Sequence, residues 1–574
     1  MAWKKSIIKA IPVILLLTIF LFLTLSSSIG NFPLYHEGER VFIGYSYIMY
    51  GNSINHAVYP ILIHSLAALP IVFLDIDYPD PFLEESPKVF GQRDFLYYGD
   101  NDAEQIIFWS HIPFMIIAIL FGLLIFIWTK ELYNYKAGLF SLTLFTFSPT
   151  ILAYTPTVGS DMILAFFFFL TSYLFWKLYQ KPRPITLFLC GISFGLTILS
   201  KPPGIFILLV IFIIGIIGIL KKQPLRIHKR NPFLTLIAII FIILWIGGAT
   251  FITFHLNEIH PIYNSEDPLY YNSGARSEDR LYEIVEGLEI SEWQKESLTY
   301  IVTKVPVPAP HFIEGIYSTS NYLSAGSDTY WFSAHNTDGI KGHYHIIIFL
   351  LKNPISFLLL ILLASIFIRK HYPKGKMSNY FLIIPIIIFP LQFIFSESYG
   401  GLVYLLPIFP FLFIITGNII NYKQWKRWWF KGTVITLLAI YIFVSLTTFP
   451  YYLSYFNSIT GGTEEGYQVS LIDFDNYQDL YRLRDYIEEN NIEQIKINYS
   501  YYSTTLPYQD FDYDYLEPNT PTTGLIAINA NALMGLKEQD TDDFAWLKEL
   551  EPIDRVGTTI FIYNVTENYE TTLS

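Results

Sequence analysis

The sequence predicts an all-α polytopic membrane bundle of about eleven spans with a small C-terminal extracytoplasmic α/β domain, and three observations predict it. Of 574 residues, 52% are hydrophobic and 18% aromatic, a richer apolar share than globular domains carry. Apolar stretches near 7–28, 106–128, 137–154, 161–176, 185–200, 203–220, 232–254, 345–368, 379–395, 401–420 and 432–449 are of membrane-crossing character. Basic residues then alternate: 21 of the 37 lie in loops that share one side with the N-terminus, against one of the 49 acidic residues, Glu131. By the positive-inside rule the N-terminus is cytoplasmic, and the C-terminal part is extracytoplasmic in a cell-membrane protein.

The first run opens with Met1, Trp3, Lys4 and Lys5, which has the charge of a signal peptide. The run that follows is long and lacks a small-residue cleavage site, so an uncleaved helix is expected. Residues 1–450 form the expected membrane domain, with external loops 29–105 and 255–344. Within the first loop, His56 to Leu74 is apolar but interrupted, and an interfacial or re-entrant helix fits it. The second loop combines acidic helical text over Ser277–Glu296, Pro306 to Pro310, and a Gly/Ser/Asn-rich stretch, Ser318–Gly342, suited to a loop over a site. His335, His343 and His345 are candidate acceptor contacts there.

From about 451 to 574 the texture becomes that of a soluble α/β domain. Tyr477–Asn490 and Asp542–Leu550 have helical periodicity, whereas Ile495–Tyr499, Gly524–Ile528 and Thr559–Tyr563 read as strands. Asn498-Tyr499-Ser500 and Asn564-Val565-Thr566 match the glycosylation acceptor pattern on the external side.

A net charge of −12 argues against a nucleic-acid partner, and the single cysteine, Cys190, excludes a disulfide framework or a cysteine metal site. No phosphate-binding glycine loop, zinc spacing or internal repeat occurs. Ionisable groups instead gather at external membrane edges: His36, Glu37, Glu39 and Arg40 after the first span, Asp161 at the start of the fourth, and Lys201 in the turn Leu199 to Gly204. A carboxylate there can take a proton from an acceptor hydroxyl, and a cation can stabilise a departing phosphate. The plain alternatives are a solvated acidic loop, a helix cap at Asp161 and a snorkelling lysine at Lys201. For the aromatic clusters Tyr451-Tyr452, Tyr499 to Tyr502 and Trp425 to Trp429, interfacial belt or core packing competes with sugar stacking.

Several pieces in order resemble a known family. His36-Glu37-Gly38 stands where that family carries an Asp-Glu pair, and Tyr59-Pro60 through His64 to Pro70 where it carries a His-Pro-Pro-Leu-x-Lys run before Leu-Ala-Ala-Leu-Pro. Ser148-Pro149 to Asp161, Gly342 to Pro354, Tyr404 to Pro410, Tyr455 to Gly462, Asp475 to Leu480 and Phe544 to Leu547 follow. The order resembles the C superfamily of lipid-phosphate-sugar glycosyltransferases, in its dolichyl-phosphate-mannose protein mannosyltransferase-like group (glycosyltransferase family 39).

The resemblance implies an enzyme that moves a monosaccharide, mannose-like or another hexose or pentose, with inversion. The donor would be a polyprenyl or dolichyl phosphate sugar reached through membrane lipid, and the acceptor a protein, lipid or glycan. Glu37 matches the family's glutamate and is the candidate base. Asp161 matches its acidic residue at the fourth span; His36 could orient Glu37 or act as a base near neutral pH, and Glu39 could stand in by proximity for the acid that the chain lacks. Lys201 and Lys352 match family lysines and, with Arg40 and His64, are candidate phosphate contacts.

The chain departs from the family at His36, which replaces aspartate, at Tyr59 and His64, which replace histidine and lysine, and at Val403, which replaces arginine. His64 could pair a phosphate when protonated. No cofactor is required by the residues; a divalent cation on His36, Glu37, Glu39 or Asp161 is one option. An inactive relative that binds lipid-linked glycan as an assembly factor is the competing reading.

Overall fold

The structure is a computed structural model that describes residues 2–34, 36–51, 61–78, 94–223, 231–256, 259–260, 290–308, 329–332, 334–336, 343–367, 377–393, 400–499, 506–535 and 543–566. In chain order its helices are α1 (Ala2–Ser28), α2 (Glu37–Tyr50), α3 (Ile61–Ala68), α4 (Ala103–Leu132), α5 (Tyr135–Thr146), α6 (Pro149–Tyr154), α7 (Ser160–Gln180), α8 (Pro184–Ser200), α9 (Phe206–Leu220) and α10 (Pro232–Phe254). They continue with α11 (Glu292–Lys304), α12 (Tyr344–Leu351), α13 (Ile355–Phe367), α14 (Ser378–Leu391), α15 (Phe409–Gly417), α16 (Trp428–Thr448), α17 (Leu480–Glu489), α18 (Ala530–Leu533) and α19 (Ala545–Lys548).

Among the described residues seven helices are long and apolar enough to cross a bilayer: Ile8–Ser28, Ala103–Leu132, Ser160–Gln180, Pro202–Leu220, Pro232–Phe254, Leu402–Asn421 and Trp428–Thr448. α12 and α13 pass the same test as one bent pair, and α8 and α14 are shorter apolar helices. The chain is an integral membrane protein. Each of the eleven apolar stretches holds helix among its described residues, but 345–368 breaks into α12 and α13, and 137–154 breaks at Phe147-Ser148 into α5 and α6, where Pro149 opens the second helix and the Ser148 side chain caps it.

Contacts divide the chain into two compact units, one built from Met1–Glu37, Phe114–Thr157 and Ser324–Ser574, the other from Gly38–Pro113 and Val158–Leu323. In the second unit α7 and α8 form an antiparallel hairpin joined by residues 181–183, so the start of α7 and the end of α8 come to one side. Hydroxyls stitch them: Thr171 Oγ1 lies 2.8 Å from Ser193 Oγ and 3.2 Å from Thr197 Oγ1. On the other face of α8, a Cβ on Gly195 would meet the Gly247 carbonyl oxygen at 2.7 Å, so α8 and α10 touch backbone to backbone. Small residues permit that approach where lipid supplies no hydrophobic drive. α2 and α3 cross as closely, since a Cβ on Gly44 would overlap the His64 carbonyl.

In the first unit, α12 and α13 meet at 111° across Lys352-Asn353-Pro354. Pro354 has no N–H to continue the helical ladder, and the break leaves carbonyls without intrahelical donors. Asn457 supplies them: its Nδ2 donates to Leu350 O at 2.7 Å and Asn353 O at 2.9 Å, and its main-chain N–H to Leu351 O at 2.8 Å. In return Lys352, 3% exposed, donates from Nζ to Leu453 O at 2.8 Å and to the Asp473 carbonyl.

The C-terminal sheet has five strands, β5 (Ile495–Asn498), β6 (Tyr513–Tyr515), β7 (Gly524–Asn529), β8 (Asp554–Val556) and β9 (Ile560–Val565), in the order β6-β5-β7-β9-β8. β5 runs parallel to β6 and β7, while β9 is antiparallel to β7 and β8. Two small antiparallel ladders precede it, β1 (Ile259–His260) with β2 (Val307–Pro308) and β3 (Thr329–Trp331) with β4 (Ala334–Asn336).

Several expectations change. The stretch after the first span is not a loop: Glu37 opens the fourteen-residue helix α2. In the His56–Leu74 patch residues 61–68 form α3, and residues 56–60 lie outside the described residues. Helix in the second loop covers Glu292–Lys304, opened by a capping box of Ser291 and Gln294; residues 277–289, and most of 318–342, lie outside the described residues. Asn498 is not a glycan acceptor in the fold, because it is 1% exposed and its Nδ2 donates to Leu516 O at 3.0 Å. Asn564 is exposed on β9.

Candidate functional site

The best-defined ionisable pair lies at the open end of the α7–α8 hairpin. Lys201 Nζ sits 2.9 Å from Asp161 Oδ1, with the two side chains 12% and 13% exposed. Asp161 does not cap α7: the cap is Gly159, without a side-chain bond, and Asp161 lies one residue inside the first turn. A carboxylate there also meets the positive end of the helix dipole. Lys201 follows the last residue of α8, in a turn closed by Gly204 N–H to Lys201 O at 2.9 Å. A Cβ on Gly204 would lie 2.6 Å from the Thr197 carbonyl, so glycine is what lets this turn fold back.

Beside the pair, Arg40 Nη1 donates to the Val158 carbonyl at 2.5 Å, three residues before Asp161. His64 on α3 is 2% exposed. Burial first, and the Arg40 guanidinium second, push its imidazole down to about 3, with Glu39 acting weakly the other way. Burial therefore favours the neutral imidazole over the cation that would pair a phosphate. Arg40, Glu39, His64, Asp161 and Lys201 thus belong to one neighbourhood of the second unit. Next along the chain from Lys201, an apolar groove is lined by Ile205, Phe206, Leu208, Leu209, Phe212 and Ile240.

Glu37 belongs to the first unit and is 2% exposed. Its Oε2 accepts the Leu34 N–H at 2.8 Å, and its own N–H donates to the Leu34 carbonyl at 2.9 Å. The residue before it, His36, has φ +70°, a left-handed conformation that costs a non-glycine residue about 1 kcal/mol or more. A tight turn with reciprocal bonds therefore fixes where the Glu37 carboxyl points. Lys352 lies in the broken span, bound to two backbone carbonyls as described. His345 stacks on Phe393, ring centroids 4.6 Å apart, and faces the bundle interior; His343 is exposed, and the His335 side chain lies outside the described residues. No group of three or more His, Cys, Asp or Glu side chains able to hold a metal occurs among the described residues.

The sequence reading missed a run of buried aspartates. Asp473 accepts Tyr344 Oη–H at 2.5 Å and Leu402 N–H at 2.7 Å, tying the C-terminal segment to α12 and to the turn opening the span at 402. Asp475 accepts Asn529 Nδ2 and the Asn531 and Tyr477 N–H groups; burial nevertheless pushes its carboxyl up to about 7. Asp479 accepts the Thr558 and Thr559 N–H groups of the β8–β9 turn. The motif around Asp475 was visible, but its partners lie far along the chain.

Residues 104–246 match the family of dolichyl-phosphate-mannose-protein mannosyltransferases. That stretch runs from α4 to α10 and contains Asp161 and Lys201. No curated protein sequence matches the chain. Among solved structures, the Archaeoglobus fulgidus oligosaccharyltransferase is 11% identical with a TM-score of 0.47, covering 91% of this chain and 63% of its own. This chain thus spans less than two thirds of that protein's length. ArnT from Cupriavidus metallidurans, bound to undecaprenyl phosphate, is 10% identical with a TM-score of 0.44, covering 97% and 98%. The S. cerevisiae protein O-mannosyltransferase Pmt1-Pmt2 complex, bound to its sugar donor, is 12% identical with a TM-score of 0.49, covering 77% and 90%.

Proposed function

We propose that the protein is an integral membrane glycosyltransferase. It moves a monosaccharide from a polyprenyl or dolichyl phosphate carrier to an acceptor hydroxyl on the extracytoplasmic side. The observation that carries this reading is the Lys201–Asp161 pair, inside the segment that matches the mannosyltransferase family, with an apolar groove following it in the chain. In the proposed reaction Glu37 takes the acceptor's proton as its oxygen attacks the anomeric carbon from the face opposite the phosphate. The bond from that carbon to the phosphate oxygen breaks, inverting the centre, and the electron pair leaves on the carrier phosphate. Lys201 and Arg40 offset the charge that develops there, which is where a fixed cation lowers the barrier most.

Asp161 orients the Lys201 ammonium and Glu39 balances Arg40. His36 shapes the turn that presents Glu37, and neutral His64 serves as a hydrogen-bonding wall. Lys352 is assigned to holding the C-terminal segment rather than to the phosphate. The acceptor is a protein, lipid or glycan hydroxyl. The test is purified protein in lipid nanodiscs with a polyprenyl-phosphate hexose: release of free polyprenyl phosphate that depends on an acceptor extract supports the proposal. Binding of the donor without turnover, under conditions in which the fold is intact, would favour the inactive assembly factor instead.

A further inference from the structure

The C-terminal domain grips the segment that carries Glu37. Arg482 on α17 donates from Nη2 to Asn31 Oδ1 at 2.7 Å, and its Nη1 is held by Asp479 Oδ1 at 2.5 Å. Its guanidinium also lies over the Tyr451 ring, 5.2 Å from the centroid. Next to Asn31, Phe32 N–H donates to Gln478 O at 2.9 Å, and the Phe32 ring meets Tyr481 edge-on at 5.1 Å. Tyr481 and Arg482 lie in the first turn of α17, and Gln478 just ahead of it offers its main-chain carbonyl. The grip is itself rigid. Asp479 is fully buried and anchored by Thr558 and Thr559, and Gln478 Nε2 donates to Ser454 Oγ at 2.9 Å and Phe474 O at 3.1 Å. Beyond Phe32 the buried Pro33 has a fixed φ, and Leu34 closes the turn on Glu37. A chain of short, stiff links therefore runs from α17 to the Glu37 carboxyl, all within the first unit.

We infer that Arg482 and Asn31 are positioning residues: through them the C-terminal domain sets the orientation of Glu37, so the domain takes part in turnover without touching the donor. This rests on the assignment of Glu37 as the base. Full-length Asn31→Ala, Arg482→Gln, Arg482→Lys and Glu37→Gln are compared for transfer from a polyprenyl-phosphate hexose, with activity referred to protein that elutes as a folded species.

Misplacement of a catalytic group by a fraction of an ångström predicts a kcat for Asn31→Ala and Arg482→Gln lower by about tenfold or more, with donor KM within about twofold. Partial recovery is expected in Arg482→Lys, which keeps a cation beside Asp479. Asn31→Ala removes a partly buried, short side chain and keeps the test informative if the Arg482 variants fold poorly. Wild-type kcat per folded protein in Asn31→Ala overturns the inference, as does a loss confined to donor KM. If Glu37→Gln is inactive while Asn31→Ala is normal, only the inference falls; if Glu37→Gln turns over normally, the base assignment falls with it.

Discussion

Replacing Lys201 by methionine keeps the length and apolar stem of the side chain and removes its charge. The Asp161 carboxylate, 2.9 Å from the lost ammonium and 13% exposed, is then left in a nearly closed site with the Ser160 hydroxyl, 3.5 Å away, as its further side-chain partner among the described residues. Breaking a fully buried ion pair costs about 3–5 kcal/mol. The remaining exposure of both groups lets water soften that loss, so about 2 kcal/mol is expected here. Transfer suffers separately: removing one fixed group that stabilises developing charge costs about 3 kcal/mol, or roughly a hundredfold in kcat/KM. The assay pairs thermal unfolding in detergent with turnover of a polyprenyl-phosphate hexose, on Lys201→Met, Asp161→Asn and the double variant. If the pair acts as a unit for stability, the double variant loses less than the sum of the singles. Additive stability losses together with turnover within about twofold of wild type would refute the reasoning.

Two further outcomes concern the first unit. Asn457→Ala orphans the carbonyls of Leu350 and Asn353 at the α12–α13 break, at about 1–3 kcal/mol each, so a loss of roughly 2–6 kcal/mol in unfolding free energy is expected; a change below about 0.5 kcal/mol would contradict the clasp. The Asp475 carboxyl is raised in the fold to about 7 from the model-peptide value of 3.8. The folded state therefore holds this proton more tightly than the unfolded chain. Its contribution is fully present below about pH 4 and is lost as pH rises towards about 7. Relative to wild type, Asp475→Asn should gain thermal stability as pH rises across that window; a wild-type minus variant difference that stays flat would contradict it.

How much of this was readable in the chain follows from the range of each interaction. Apolar runs report spans locally, so each expected stretch holds helix among its described residues, and alternation reported β5, β7 and β9. The three-residue strands β6 and β8 are too short to show a period. α2 was missed because Gly38, Gly44 and its tyrosines are indifferent helix formers, and the helix is held by packing against α3. Asp161 and Lys201 could be paired from sequence because a hairpin of two apolar helices returns to the side it left. The Asp473 contacts to Tyr344 and Leu402 and the Arg482 contact to Asn31 cross 129, 71 and 451 residues, and no local pattern reports them. His64 could be seen, but its burial could not, since that depends on how closely α2 and α3 pack.

The central claim is that a carboxylate at position 37 accepts the proton of the acceptor hydroxyl. Single-turnover transfer by Glu37→Gln, measured against wild type at matched donor occupancy, tests it most directly. The account predicts a fall of at least about a hundredfold in the chemical step with donor binding and unfolding temperature unchanged. A Glu37→Gln protein that transfers sugar at the wild-type rate would contradict it.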